Sequence, residues 1–105
     1  MYACEDISAR LAEHIDRALK RVDPDVLALL EKAEREEENE RARWALGQIA
    51  ENDRIAADTD CYPCQDTGQA MLFVTVGQDA SFDGPLTDAL QEGVRRGYRE
   101  ARKSV

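Results

Sequence analysis

No apolar run in this sequence approaches the roughly 20 residues that span a bilayer, and the first ten residues carry acids where a secretory leader carries bases and a hydrophobic stretch. A membrane partner is thereby excluded and a cytoplasmic location expected. Cysteine is scarce: three residues, an odd number in a chain without a leader, make a disulfide framework untenable. They leave reduced thiols, metal ligands or small core residues as the readings. Positive charge is also in short supply, since 14 Lys and Arg face 22 Asp and Glu for a net charge of -8. Such a surface repels polyanions, which excludes nucleic acid and anionic lipid. An acidic protein reaches an acidic ligand only through a local basic cluster, and Arg95, Arg96, Arg99, Arg102 and Lys103 form one at the C-terminal end. Internal repeats and low-complexity tracts are absent.

What is present fits one domain: 105 residues, 43% of them hydrophobic, supply a modest core. From Ile7 to Val22 the residues Ile7, Leu11, Ile15, Ala18, Leu19 and Val22 recur every three or four positions, which predicts an amphipathic helix. Asp23-Pro24 stops it and starts a second, because Asp caps well and Pro is tolerated at the first helical position. Val26, Leu27, Leu29, Leu30 and Ala33 give that helix its apolar face. The charged run Glu34 to Arg43 reads as a solvated helical face or a helix-helix connection.

Helical periodicity resumes through Trp44, Leu46, Ile49 and Ile55 to about Ala57, and Asp58-Thr59-Asp60 breaks it with turn formers. Beyond the cysteines, Met71 to Val76 is short and apolar, β-branched towards its end, and bounded by Gly68 and Gly77, so a buried strand is expected there. A lone strand leaves its backbone groups unpaired, which makes an incomplete portion of a larger domain the expectation. After Gly84-Pro85 a last helix follows, with Leu86, Leu90, Val94, Tyr98 and Ala101 on one stripe and Gly93 and Gly97 beside it. Each helical glycine costs roughly 1 kcal/mol relative to alanine, a loss accepted where another backbone comes close. The fold class expected is α+β and mainly helical, with amphipathic helices around a short buried strand.

Cys61-Tyr62-Pro63-Cys64 is a CxxC with three readings. A closed zinc site needs four ligands, and only Cys4 and His14 remain, at no ligand-pair spacing. A dithiol redox motif sits between a strand and the start of a helix, whereas here a helix precedes and a strand is expected to follow. The third reading makes the cysteines small core residues and Gln65-Asp66-Thr67-Gly68 a turn. Against it stands the density of a thiol, an amide, a carboxylate, a hydroxyl and a glycine in five residues. Such a loop can present a metal ligand and hydrogen-bonding groups to one small ligand.

Four blocks then point to a family: Cys64-Gln65-Asp66-Thr67-Gly68, Val76-Gly77-Gln78-Asp79, Glu92-Gly93-Val94-Arg95-Arg96-Gly97-Tyr98 and Arg102-Lys103-Ser104. Together and in this order, over about forty residues, they resemble the N-terminal part of the class I iron-sulfur fumarases and the alpha subunits of L(+)-tartrate dehydratases. The likeness runs back more weakly through Trp44 to Asn52, so residues 44–105 are family-like, while 1–43 is helical without a specific signature.

The resemblance implies a hydro-lyase that reversibly hydrates and dehydrates a small dicarboxylate, fumarate and malate or tartrate, on a 4Fe-4S cluster held by three cysteines. It makes Cys64 one cluster ligand, sets Gln65 and Asp66 against the substrate, and makes Arg102 a carboxylate clamp. The family's other two cluster cysteines and its general acid and base lie in later segments, so no catalytic residue is assigned here. Cys61 and Cys4 match no ligand position. The implied partners are the remaining part of the enzyme or a beta subunit, in a homo- or hetero-oligomer, and the chain alone is expected to be inactive. The alternative is a stand-alone, non-catalytic binding or assembly module derived from this domain.

Overall fold

The computed structural model describes residues 1–64 and 68–103, the side chains of Arg102 and Lys103 excepted. Among these residues the chain forms four α-helices: α1 (Cys4–Lys20), α2 (Pro24–Glu36), α3 (Glu40–Thr59) and α4 (Leu86–Lys103). They fall into two compact units, one of Met1–Arg17 with Thr67–Val105 and one of Ala18–Asp66. No helix among the described residues is long and apolar enough to cross a membrane.

The first unit pairs α1 with α4. Helix α1 starts with a cap supplied from far along the chain, since the Cys4 amide donates to Asp83 Oδ1 at 2.7 Å. Glu5 and Asp6 in the first turn favour the positive end of the helix dipole. The preceding residues are fixed too: the Tyr2 amide donates to the Ser81 carbonyl at 2.7 Å and the Asp83 amide to the Tyr2 carbonyl at 3.1 Å. Their rings, Tyr2 and Phe82, lie 5.9 Å apart.

The face that α4 buries is its small one: Ala89, Gly93, Gly97 and Ala101, spaced by four, while Leu86, Leu90 and Val94 are half-buried and Tyr98 is exposed. The reason is steric. A Cβ on Gly93 would come within 2.9 Å of Leu11 Cβ and 3.0 Å of the Ser8 carbonyl, and one on Gly97 within 2.8 Å of Ile15 Cβ and 3.1 Å of the Ala12 carbonyl. Buried Ser8 closes the contact by donating from Oγ to the Ala89 carbonyl at 2.7 Å.

In the second unit α2 packs on α3. Asp23 caps α2 as its residue type predicts, accepting from the Asp25 amide at 2.9 Å, with Pro24 in the first turn. The charged run turns out to hold both a helix end and the connection. Helix α2 stops at Glu36, and Asn39 caps α3 by accepting from the Arg41 and Ala42 amides at 3.0 and 3.1 Å. Arg43 locks the turn by donating twice to the Glu37 carbonyl. Ala50 and Ala56 are buried, but no large side chain among the described residues is completely so, and Trp44 is 69% exposed.

One expectation is corrected. Met71 to Val76 is not a buried strand: no strand occurs among the described residues, every side chain in the run is exposed, and Phe73 is 94% so. Composition signals that such a run favours burial, but burial needs a neighbouring backbone or face, and none packs on this one within its unit. The β component of the expected α+β class shrinks to a single parallel bridge between Tyr2 and Phe82, which leaves a mainly helical fold.

Candidate functional site

The cysteine loop leaves α3 through Asp60, whose left-handed backbone (φ 54°, ψ 37°) reverses the chain. Asp tolerates this conformation better than most side chains. The Cys61 amide then donates to the Ala56 carbonyl at 2.9 Å, and the Cys64 amide to Asn52 Oδ1 at 2.8 Å. Ala56 and Asn52 are four apart and share one face of α3. Cys61 to Cys64 therefore runs back along that face, tied at both ends.

Lys20 holds the loop's other side. Its ammonium lies 5.3 Å from the centre of the Tyr62 ring and 3.3 Å from Asp60 Oδ2, and its side chain is only 12% exposed. A partly desolvated cation over an aromatic face is worth about 1 kcal/mol. The stretch is thus tied at three residues, Asp60, Tyr62 and Cys64.

Both loop cysteines are exposed and neither is in a disulfide, and they differ in that Cys61 Sγ lies 3.5 Å from the Thr59 carbonyl. The CxxC follows a helix C-terminus rather than preceding an N-terminus, unlike a dithiol redox motif. Cys4 belongs to the other unit, where partial burial and the neighbouring Asp83 carboxylate push its thiol above the ordinary value. A thiol held protonated in this way is a poor metal ligand. Among the described residues no three His, Cys, Asp or Glu side chains converge as a metal site would require.

Of the four site residues expected from the sequence, Cys64 alone has a described side chain. Gln65 and Asp66 lie outside the described residues, and Arg102 is placed on α4 by its backbone only. The basic cluster on α4 is partly spent. Arg96 clamps Glu5 through two nitrogens at 2.6 and 3.0 Å and also donates from Nε to Glu92 at 3.0 Å, while Arg95 pairs with Glu92 as well. These partners raise the Arg96 pKa, and Arg96 in turn holds the Glu5 and Glu92 carboxyls below their usual range. Arg95 and Arg96 are thereby matched by two carboxylates.

A groove of about 420 Å³ on the α2 and α3 pair contains no candidate residue, and Arg54 at its edge is held by Glu51 and Glu31. Asn52 and Lys20 were missed by sequence reasoning. The one available signal for Asn52 was a poor helix former inside a helix, twelve residues before a cysteine.

Residues 8–105 match the family described as fumarate hydratase (Fumerase). Among curated proteins, one from Methanocaldococcus jannaschii, assigned as an L(+)-tartrate dehydratase subunit alpha, is 32% identical over 78 residues. The alignment covers 72% of this chain and 27% of that protein, so the chain spans about a quarter of its relative's length. No solved structure matches.

Proposed function

The chain belongs to the class I fumarate hydratase and tartrate dehydratase alpha family, and from that premise we propose that it forms part of an iron-sulfur hydro-lyase acting on a small dicarboxylate. The observation that carries this reading is Cys64, which opens the Cys64-Gln65-Asp66-Thr67-Gly68 motif with an exposed thiol on a backbone tied to α3.

The described residues fit a 4Fe-4S cluster at one point. Cys64 opens the matching motif with an exposed, free thiol, Cys61 is also exposed but faces the Thr59 carbonyl at the end of α3, and Cys4 lies beside Asp83. Cys64 would thus be one of three cysteine ligands, with the other two contributed by the rest of the enzyme. A cluster so held would supply Lewis-acid chemistry toward the substrate's hydroxyl and an adjacent carboxylate. This chain's own groups bind and orient: the Gln65 amide and Asp66 carboxylate beside that ligand meet the substrate, and the Arg102 guanidinium grips a carboxylate with two parallel hydrogen bonds. General acid and base come from outside this chain.

The relative's designation as subunit alpha supports a partner polypeptide here as well. A cytoplasmic, reducing setting suits the exposed thiols of Cys61 and Cys64. The test is to assay the complete enzyme, purified anaerobically, for hydration of fumarate and for dehydration of malate and tartrate. Activity on one of these pairs that is lost on exposure to air and regained with ferrous iron and sulfide supports the proposal. A pure, folded enzyme that turns over none of them, whatever its iron content, contradicts it and favours the non-catalytic module.

A further inference from the structure

We infer that Asn52 is a positioning residue for Cys64: its side-chain carbonyl fixes the cysteine's backbone so that the thiol is presented in one direction to the metal it ligates. The inference rests on the proposed role of Cys64 and adds to it a residue outside the motif. Three observations support it.

The bond itself joins a side chain on a regular helix to a loop amide twelve residues later, at 2.8 Å. The local alternative is weak, because an Asn inside a helix gains nothing there: it forms helices less well than alanine, and its carbonyl is normally used at caps and turns. Finally, the neighbouring ties leave one gap for it to fill. Cys61 is held by the Ala56 carbonyl, and Tyr62 and Asp60 by Lys20, but these act upstream of the ligand. Without Asn52, the backbone of Cys64 has no described anchor of its own.

A metal ligand whose backbone is free pays an ordering cost each time the metal binds, whereas a pre-fixed ligand does not. Groups that orient a ligand are worth tenfold to a hundredfold in metal affinity. An anchor acting on the backbone rather than on the sulfur belongs at the low end, about tenfold.

Asn52→Ala removes the acceptor and improves the helix propensity of α3, so unfolding of the helix does not account for a loss. Asn52→Asp restores an acceptor at nearly the same place. In the first arm, hydrogen exchange of the Cys64 amide and peptide-resolved alkylation of its thiol are measured on the 105-residue chain. Exchange is expected to be roughly threefold to tenfold faster in Asn52→Ala, the range of a net hydrogen bond, and close to wild type in Asn52→Asp. In the second arm, the complete enzyme is reconstituted with ferrous iron and sulfide, and loss of the cluster's visible absorption to a chelator is timed. The expected order is Asn52→Ala about tenfold faster than wild type, with Asn52→Asp largely rescued.

Equal exchange in wild type and Asn52→Ala, or equal cluster loss in an enzyme that does hold its cluster, overturns the inference and leaves the proposed function standing. A wild-type enzyme that takes up no cluster overturns both, and the exchange arm then still tells whether the anchor exists as a purely structural bond.

Discussion

Adding one methyl group at two helical glycines should move stability in opposite directions. Glycine to alanine gains about 1 kcal/mol of helix propensity at either position. At Gly97 the new Cβ would sit 2.8 Å from both Cβ and Cγ2 of Ile15 and 3.1 Å from the Ala12 carbonyl. A β-branched side chain has little rotamer freedom in a helix, and a backbone carbonyl cannot yield without shifting α1. Overpacking of this kind costs roughly 1 to 3 kcal/mol, so Gly97→Ala should be destabilised by about 1 kcal/mol once the propensity gain is subtracted. At Gly47 the only neighbours within reach are carboxylate atoms of Glu34, the nearest at 2.8 Å. They form the end of a flexible side chain that can rotate away, so Gly47→Ala should be stabilised by up to about 1 kcal/mol. Urea unfolding followed by far-ultraviolet circular dichroism distinguishes the two. At a denaturant slope of about 1 kcal/mol per M, the midpoints should move about 1 M apart or more, in opposite senses. If Gly97→Ala proved as stabilising as Gly47→Ala, the close approach of α1 and α4 would be refuted.

The Glu5 and Glu92 carboxyls are depressed in the folded state by Arg96, so their contribution is present above the unfolded carboxylate range and lost as pH falls through the folded values. Thermal unfolding should therefore show a larger loss of stability on acidification from neutral pH in wild type than in Arg96→Met, and equal losses would contradict the pairing. The exposed run Met71 to Val76 should make the isolated chain self-associate, and Phe73→Asp should lower its sedimentation-average mass; a strictly monomeric wild-type chain would count against this. In the complete enzyme Arg102→Lys keeps the charge but loses the planar two-pronged grip, so kcat/KM should fall on the order of tenfold to a hundredfold. Arg99→Lys, one turn earlier, should change it little, and equal effects of the two would remove Arg102 from the site.

The features legible in the sequence are those decided within a few residues. Asp23-Pro24 caps and restarts a helix by local chemistry, Asp58-Thr59-Asp60 ends one, and the price of Gly93 and Gly97 in a helix pointed to a close approach that Leu11 and Ile15 supply. The illegible features depend on distant partners. Asp83 caps a helix that begins 79 residues before it, and Asn52 reaches a loop across a turn whose path is set by one left-handed residue. Met71 to Val76 failed for the converse reason: its residues favour a buried strand, but what a strand pairs with lies beyond the residues that compose it. The motif around Cys64 was readable because four blocks occur in order, while the ties along the loop, from Asn52 to Cys64 and from Lys20 to Asp60 and Tyr62, carry no signature.

The claim that Cys64 is a cluster ligand, and Cys61 an incidental loop thiol, is tested most directly by comparing Cys64→Ser with Cys61→Ser in the complete enzyme, each reconstituted anaerobically. Iron and sulfide content per polypeptide, together with the cluster's spectrum, is the measurement. A serine hydroxyl is a hard donor and a poor replacement for a soft thiolate. The account predicts that Cys64→Ser loses the cluster and hydratase activity together, while Cys61→Ser keeps both. A full cluster in Cys64→Ser, or loss of the cluster in Cys61→Ser, would contradict it.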